Sequence, residues 1–180
     1  MLENLINSAT EKLNKINHIV PNLNCGGCGI FAHALGAELQ SAGINCKVVS
    51  LGPDKPKEAP DKIVERLKSN GELTPKSCHD NGIQIWHLMV EVKNEKGVNF
   101  YIDSTGVKYS DDNGRIHFAG RGCYIDGRMS IEDCKTISDI VHGWNSRFDR
   151  SFIPKIYDFV KRRVQTILAK NSGQLTLAFQ

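Results

Sequence analysis

The chain has 180 residues, of which 40% are hydrophobic and 24% charged, a composition typical of one globular domain. Its net charge of +3 lacks the broad positive field of nucleic-acid-binding proteins, and no segment approaches the ~18 apolar residues of a membrane span. Residues 1–17 lack the continuous apolar run of a secretory signal. We therefore expect a single domain over residues 1–180, located in the cytoplasm, with its six cysteines as thiols.

The first third of the chain predicts two helices and a strand. Apolar residues recur at three- and four-residue intervals over 2–16, which indicates an amphipathic helix. A second helix is predicted to begin at Cys28 and to end before Gly43, whose freedom suits a left-handed C-terminal cap. Residues 44–51 are rich in β-branched side chains and predict a strand. The second helix is predicted to bury Phe31, Ala32, Leu35 and Leu39.

The middle of the chain predicts a β-hairpin. Residues 52–60 hold three prolines and indicate a loop, after which Pro60 suits the first turn of a short helix that runs to Lys68. Two apolar runs follow, IQIWHLMVEV at 83–92 and VNFYID at 98–103. The short polar connection between them ends in glycine, which favours a hairpin of two antiparallel strands.

The last third predicts a helical extension over about 130–172. Asp112-Asn113-Gly114 indicates a turn, and Ser130 with Asp133 resembles a capping box at the start of a helix. Pro154 favours the start of the last helix. Residues 74–82 and 107–128 are interpreted as surface loops that shape a groove.

The stretch NLNCGGCGIFAHAL, residues 22–35, allows three interpretations. Gly27-x-Gly29-x-x-Ala32 matches a dinucleotide-binding loop, but the preceding HIVPNLN does not resemble a buried strand. Cys25-x-x-Cys28 has the spacing of zinc ligands or of a redox pair. The other cysteines and histidines do not repeat that spacing, and a thioredoxin-like redox pair requires a strand before the helix. The third interpretation is a nucleophilic cysteine at the start of a helix.

Cys28 occupies the position that such a nucleophile requires. Unsatisfied peptide N–H groups and the positive end of the helix dipole favour a thiolate at a helix N-terminus. The glycines around Cys28 allow a sharp turn that leaves the sulfur open to a substrate carbonyl. The backbone N–H of Cys28 is also a candidate donor to an oxyanion, because no preceding turn uses it.

The hairpin supplies a candidate base and a candidate orienting acid. If its connection ends at Gly97, Val92 lies opposite Val98, and His87 lies opposite Asp103. Alternation then places His87 and Asp103 together on one face and the apolar residues on the other. Cys28, His87 and Asp103 are the predicted catalytic triad. The predicted apolar face comprises Trp86, Leu88, Val90, Val92, Val98, Phe100 and Ile102.

These residues resemble those of the papain-like and transglutaminase-like cysteine enzymes. NCGGCGIFAHAL is similar to the papain pattern C-G-[SA]-C-[WY]. CGIFAHALGAELQSAGINCKVVSLG, followed by HLMVEV and NFYIDSTG, is more similar to the transglutaminase core. The resemblance spans Cys25 to Gly106, within a recognisable core of 22–106. It implies an α+β fold in which the helix that bears the nucleophile packs on a small antiparallel sheet.

The resemblance also implies roles for individual residues. Cys28 matches the nucleophile, His87 the general base and acid, and Asp103 the residue that orients the histidine. Asn22 stands six residues before Cys28, where papain-like enzymes carry a glutamine that helps to hold the oxyanion. Gly29 departs from the aromatic residue that commonly follows the cysteine. His87 also follows Cys28 much more closely than the ~130 to 150 residues of papain-type proteases, which favours the transglutaminase-like arrangement.

The expected activity is acyl transfer through a cysteine thioester, without a cofactor or a metal. The expected substrate is a protein or peptide, attacked at a peptide bond or a glutamine carboxamide. Water as the second nucleophile gives a peptidase, amidase or deamidase, whereas an amine gives a transglutaminase. Two alternatives remain open: a catalytically silent binding module of the same fold, and a zinc protein that uses Cys25 and Cys28.

Overall fold

The computed structural model describes residues 11–83, 86–141 and 147–177 and has an α+β architecture. Five α-helices in these ranges are numbered here in chain order, and shorter helical turns precede some of them. The helices are α1 (Cys28–Ser41), α2 (Pro60–Ser69), α3 (Pro75–Asp80), α4 (Ile131–Val141) and α5 (Ile153–Leu177). The turns are 3-10 turns at Asn14–His18 and Arg150–Phe152 and a π-turn at Leu23–Gly27.

Six strands form one antiparallel sheet in the order β4-β3-β2-β1-β6-β5. Strand β1 lies near the middle, between β2 and β6, and its pairing with β6 contains a bulge between Ser50 and Leu51. The strands are β1 (Cys46–Gly52), β2 (His87–Lys93), β3 (Asn99–Asp103), β4 (Gly106–Lys108), β5 (Ile116–Phe118) and β6 (Arg121–Met129).

The two faces of the sheet bury different clusters. The larger cluster joins one face to the helices, with α1 packed between the sheet and helices α4 and α5. Because the side chains of a strand alternate, the neighbouring residues of the same strands face the other way. They form a second, smaller cluster under β5 that comprises Val49, Leu51, Met89, Tyr101, Ile116 and Cys123.

Helix α1 forms as its sequence predicts. Gly43 adopts a φ of +77°, and the helix ends in a Schellman motif, in which Gly43 N donates to Gln40 O and Ile44 N donates to Leu39 O. The four residues predicted to face the core are each 2% exposed or less. Because Cys28 is the first residue of α1, the packing of this helix on the sheet determines where Cys28 lies relative to the strands.

The predicted hairpin exists, but the predicted register is wrong by two residues. Val92 lies opposite Phe100 rather than Val98, and the last pair before the connection is Lys93 with Asn99. The reason is local, because the Asn94 side chain accepts from the N–H groups of Lys96 and Val98 and closes a tight loop over 94–98. A shift of two preserves the faces, so His87 and Asp103 remain together although they are no longer directly opposite.

Two apolar residues of the predicted face, Val98 and Trp86, lie outside the core. Val98 belongs to the connection and is 49% exposed, while Trp86 precedes β2 and is 46% exposed. The other five residues of that face are buried in the larger cluster.

The predicted surface loops contain regular structure. Residues 75–80 form α3, and residues 107–128 hold the end of β4, all of β5 and most of β6. The sequence of β6, RGCYIDGRM, lacks the apolar alternation of a typical strand. Its glycine at position 127 packs against Ser50, since a Cβ at Gly127 would lie 2.4 Å from the Ser50 hydroxyl oxygen. Asp126 accepts a hydrogen bond from the same hydroxyl at 2.5 Å, so a buried polar contact joins β6 to β1.

The helical predictions are largely confirmed. Residues 11–18 are helical, while residues 1–10 of the first predicted helix lie outside the described residues. Ser130 caps α4 through Asp133 N, as predicted, and α5 begins at Ile153. Within the described ranges, no helix combines the length and apolar character needed to cross a membrane. The face of α5 that packs inward comprises Ile156, Phe159, Val160, Val164 and Ile167.

Candidate active site

Cys28 is the first residue of α1 and follows an irregular turn. Within the π-turn, Gly26 has a φ of +123°, a conformation that favours glycine and kinks the chain before the helix. The Cys28 side chain is partly exposed. Burial raises the pKa of its thiol, but the neighbouring His87 imidazole and its charge, together with the N–H groups of Leu88 and Gly29, lower it by a larger amount, so the net pKa lies below the ordinary value.

His87 and Asp103 form a buried pair. The His87 Nε2 lies 2.9 Å from the Asp103 Oδ2, and the two side chains are 0% and 1% exposed. Phe118 of β5 stacks on the imidazole, with ring centres 3.7 Å apart and planes within 13°. Burial lowers the pKa of His87, but Asp103 and the Cys28 thiol raise it more, to about 9. This shift favours the imidazolium form at neutral pH.

The second oxygen of Asp103 is held by donors from the next turn. Oδ1 accepts from the Thr105 N–H and the Thr105 hydroxyl, each at 2.7 Å, and Lys108 Nζ lies 3.3 Å away. Burial raises the pKa of Asp103, but hydrogen bonding to His87, these donors and the charge of Lys108 lower it to about 2. Asp103 is thus fixed as a carboxylate whose other oxygen faces the histidine.

The three predicted residues lie in series. One imidazole nitrogen of His87 is bound to Asp103, while the other, Nδ1, is the one fully buried side-chain nitrogen or oxygen in the described residues that lacks a hydrogen-bond partner. The Cys28 thiol lies close enough for His87 to lower its pKa. Contacts between a catalytic base and its nucleophile are often long before substrate binds. The arrangement can hold a thiolate beside an imidazolium.

Gly29 follows the nucleophile because α4 packs directly against it. A Cβ at Gly29 would lie 2.0 Å from Ser138 Oγ and 2.9 Å from Leu88 Cδ1. One side of the helix start is therefore closed by α4 and β2, and an aromatic residue would not fit at position 29. Gly36, two turns further along, meets Ile131 of α4 in the same way, at 2.2 Å.

Asn22 does not have the surroundings of a buried oxyanion donor. Its side chain is exposed, its φ is +57°, and its Nδ2 donates to the carbonyl of Arg147 at 3.4 Å. The Arg147 N–H in turn donates to the Cys25 carbonyl at 3.2 Å. These contacts join the loop before α1 to the segment before α5.

The surroundings of Cys28 bear on the other two interpretations. Helical turns, rather than a strand, precede Gly27, so the segment is not the strand-loop-helix unit of a dinucleotide site. Across the described ranges, no three His, Cys, Asp or Glu side chains are grouped so that they could hold a metal ion. Burial raises the pKa of the Cys46 and Cys78 thiols to about 11 and that of Cys134 to about 12, which makes them poor nucleophiles.

Several residues of the site were not predicted from the sequence. Phe118, Thr105 and Lys108 contact the His87–Asp103 pair. Phe118 and Lys108 were missed because they lie within 107–128, a stretch interpreted as a surface loop. The contact with Thr105 has a local signal, since an aspartate side chain commonly accepts from the backbone N–H two residues further along the chain. The stacking of Phe118 depends on the pairing of β5 with β6, for which the sequence has no local signal.

Comparison of the chain with family models, with curated proteins and with solved structures found no match.

Proposed function

We propose that this protein catalyses acyl transfer through a thioester on Cys28, with His87 as base and acid and Asp103 as its orienting partner. The observation that carries the proposal is the state of His87: a buried imidazole with Nε2 bound to a carboxylate and Nδ1 left for the thiol. A histidine held only for structure would have a partner at both nitrogens. The lowered pKa of Cys28 supports the same assignment.

The reaction follows from these positions. The Cys28 sulfur attacks a carbonyl carbon, the new C–S bond forms, and the carbonyl oxygen gains a negative charge near the Cys28 N–H. When this intermediate collapses, the C–N bond breaks and His87 gives its proton to the departing amine. Water or a second amine then attacks the thioester carbon and the C–S bond breaks. His87 accepts the proton of that nucleophile, which restores the thiolate and the imidazolium.

The arrangement of the elements supports a papain-like or transglutaminase-like fold for the core. A helix begins at the nucleophile, packs on an antiparallel sheet, and faces a histidine and an aspartate on neighbouring strands. The substrate under this proposal is a protein or peptide carbonyl, either a peptide bond or a glutamine carboxamide. A reducing compartment such as the cytoplasm would keep Cys28 as a thiol.

The first test is the rate of iodoacetamide alkylation at each cysteine, read by mass spectrometry between pH 5 and 9. We expect Cys28 to react selectively well below the ordinary thiol pKa of about 8.5, and His87→Ala to abolish that advantage. Cys25→Ser is the matched control, because Cys25 is an exposed thiol three residues away and its loss should leave the Cys28 profile unchanged. Slow alkylation of Cys28 at a rate that is the same in wild type and in His87→Ala would contradict the proposal.

The second test separates hydrolysis from transamidation. The protein is incubated with a glutamine-containing peptide and a labelled primary amine, and both ammonia release and label incorporation are measured. Incorporation of the amine identifies a transglutaminase, and ammonia release without incorporation identifies a deamidase. Cleavage of the peptide backbone identifies a peptidase. Binding of peptides without any turnover, with Cys28→Ala binding equally well, would instead identify a binding module.

A further inference from the structure

Phe118 reaches the imidazole of His87 from a distant strand. In the sheet order, β6 and β1 separate β5 from β2, so a flat sheet would leave the two residues far apart. An isolated bridge between Ser110 and Ile116 joins the segment after β4 to β5, which brings the two edges of the sheet together. This closure of the sheet carries Phe118 over the start of β2, where His87 lies.

The two rings are stacked more closely than neutral aromatic rings prefer. Their centres are 3.7 Å apart and their planes are inclined by 13°, so the two faces overlap. Neutral aromatic rings have negative potential on both faces, and they prefer offset or edge-to-face contacts with centres about 4.5–7 Å apart. An imidazolium ring carries a positive charge, so the negative face of a phenyl ring attracts it. The geometry therefore suits the charged form of His87 better than the neutral form.

The stack also supplies a second restraint on the orientation of the imidazole. Nε2 is hydrogen-bonded to Asp103, whereas Nδ1 has no hydrogen-bond partner within the described ranges. A ring held by one hydrogen bond can tilt about that bond, and Nδ1 would then move relative to the Cys28 sulfur. A parallel ring in contact with one face of the imidazole opposes this tilt. Phe118 and Asp103 together therefore fix the direction of Nδ1.

We propose that Phe118 is a positioning residue of the active site, which stabilises the imidazolium form of His87 through its π face and holds the ring in its plane. The catalytic consequence rests on the proposed acyl transfer. When the imidazolium gives its proton to the departing amine, the ring becomes neutral and loses its attraction to the phenyl face. It regains that attraction when it accepts the proton of the second nucleophile. Phe118 therefore acts on Cys28 through His87, by favouring return to the resting ion pair.

Three replacements of Phe118 separate the effect of its π face from that of its bulk. Phe118→Leu removes the π face and leaves an apolar side chain, whereas Phe118→Tyr keeps the face. Introduction of 3,4,5-trifluorophenylalanine at position 118 preserves the shape of the ring and withdraws electrons from its face. Phe100→Leu is the matched control, because it removes a buried phenyl ring of β3 whose ring contact is with Tyr109.

Two measurements report the charge at the site. A 15N NMR titration gives the pKa of His87, and the pH profile of alkylation by iodoacetamide gives the pKa of the Cys28 thiol. We expect Phe118→Leu to lower the pKa of His87 by about one unit and to raise that of Cys28. The trifluorinated ring should shift both pKa values in the same directions by a smaller amount. Phe118→Tyr and Phe100→Leu should leave both unchanged.

An unchanged pKa of His87 in folded Phe118→Leu would overturn the inference. An equal shift in Phe100→Leu would also overturn it, because the cause would then be a general loosening of the fold. If Phe118→Leu does not fold, the trifluorinated ring decides, since it preserves the packing. Titration of His87 in Cys28→Ala tests the stack where no thioester can form. Failure of the proposed function is distinguishable, because wild-type Cys28 would then be alkylated at a rate that does not depend on His87.

Discussion

Replacing Asp103 with asparagine tests the centre of the site while preserving its shape. The asparagine oxygen can occupy the place of Oδ1, where it still accepts from the Thr105 N–H and hydroxyl. Its NH2 group then replaces the oxygen that lies 2.9 Å from His87 Nε2. Two donors cannot face each other, so His87 must carry its proton on Nδ1. The nitrogen next to Cys28 then cannot accept the thiol proton.

The size of the effect follows from the buried contact. A hydrogen bond to a charged group contributes about 1.5–3 kcal/mol, and each pKa unit corresponds to about 1.4 kcal/mol. Loss of the carboxylate therefore lowers the pKa of His87 from about 9 by about one to two units. Because the imidazolium lowers the pKa of Cys28, the Cys28 pKa rises toward its ordinary value. Acyl transfer should fall on the order of 10³- to 10⁴-fold, as expected when a triad histidine is held in the wrong tautomer.

The assay is the pH profile of Cys28 alkylation, combined with 15N NMR of the His87 ring. In Asp103→Asn, the acidic limb of the alkylation profile should move upward and the NMR signals should show Nδ1 protonated. Asp111→Asn is the matched control, since Asp111 lies 3.3 Å from the exposed His117 and should not affect Cys28. An unchanged alkylation profile in a folded Asp103→Asn variant would refute the reasoning, because Asp103 would then not hold the charge of His87.

Two further predictions concern packing and acid stability. Gly29→Ala should lower the free energy of unfolding by about 1–3 kcal/mol in urea denaturation, because its Cβ would clash with Ser138 Oγ. Adding Ser138→Gly to the same chain should recover part of that loss. If the double variant is as destabilised as Gly29→Ala, the clash with Ser138 is not the cause. The ionisation of Asp103 stabilises the fold by about 2 kcal/mol above its unfolded pKa of about 3.8, and this contribution is lost as the pH falls through about 2. Lys108→Met should raise the pKa of Asp103 and move acid unfolding to higher pH, whereas Lys96→Met, in an exposed loop, should not.

The parts of the fold that the sequence predicts are those with local signals. Helix α1 is predicted with both of its ends because a glycine cap and an apolar stripe lie within the helix itself. The hairpin is predicted by two apolar runs, but its register is not, because the side chain of Asn94 closes the loop one residue later than Gly97 indicates. The error leaves the site intact, since a shift of two residues keeps both members of a pair on the same face.

The parts that the sequence does not predict depend on contacts between distant segments. Strand β6 contains Asp126 and Gly127, residues that local rules assign to turns. Both are explained by Ser50 of β1, which donates to the carboxylate and leaves no room for a side chain at the glycine. The prediction for Asn22 illustrates the same limit, because spacing from Cys28 does not reveal that the Asn22 amide donates to the carbonyl of Arg147.

In the proposed mechanism, the order of charges along the site explains how a buried ion pair is stabilised while a proton is transferred. In the reactive state, the Cys28 thiolate, the His87 imidazolium, the Asp103 carboxylate and the Lys108 ammonium alternate in sign, so each buried charge lies beside opposite charges. In the proposed reaction, formation of the thioester removes the negative charge of Cys28. His87 then loses one of the two groups that raise its pKa to about 9, and the pKa falls. The histidine thus becomes a stronger acid at the step in which the departing amine needs its proton.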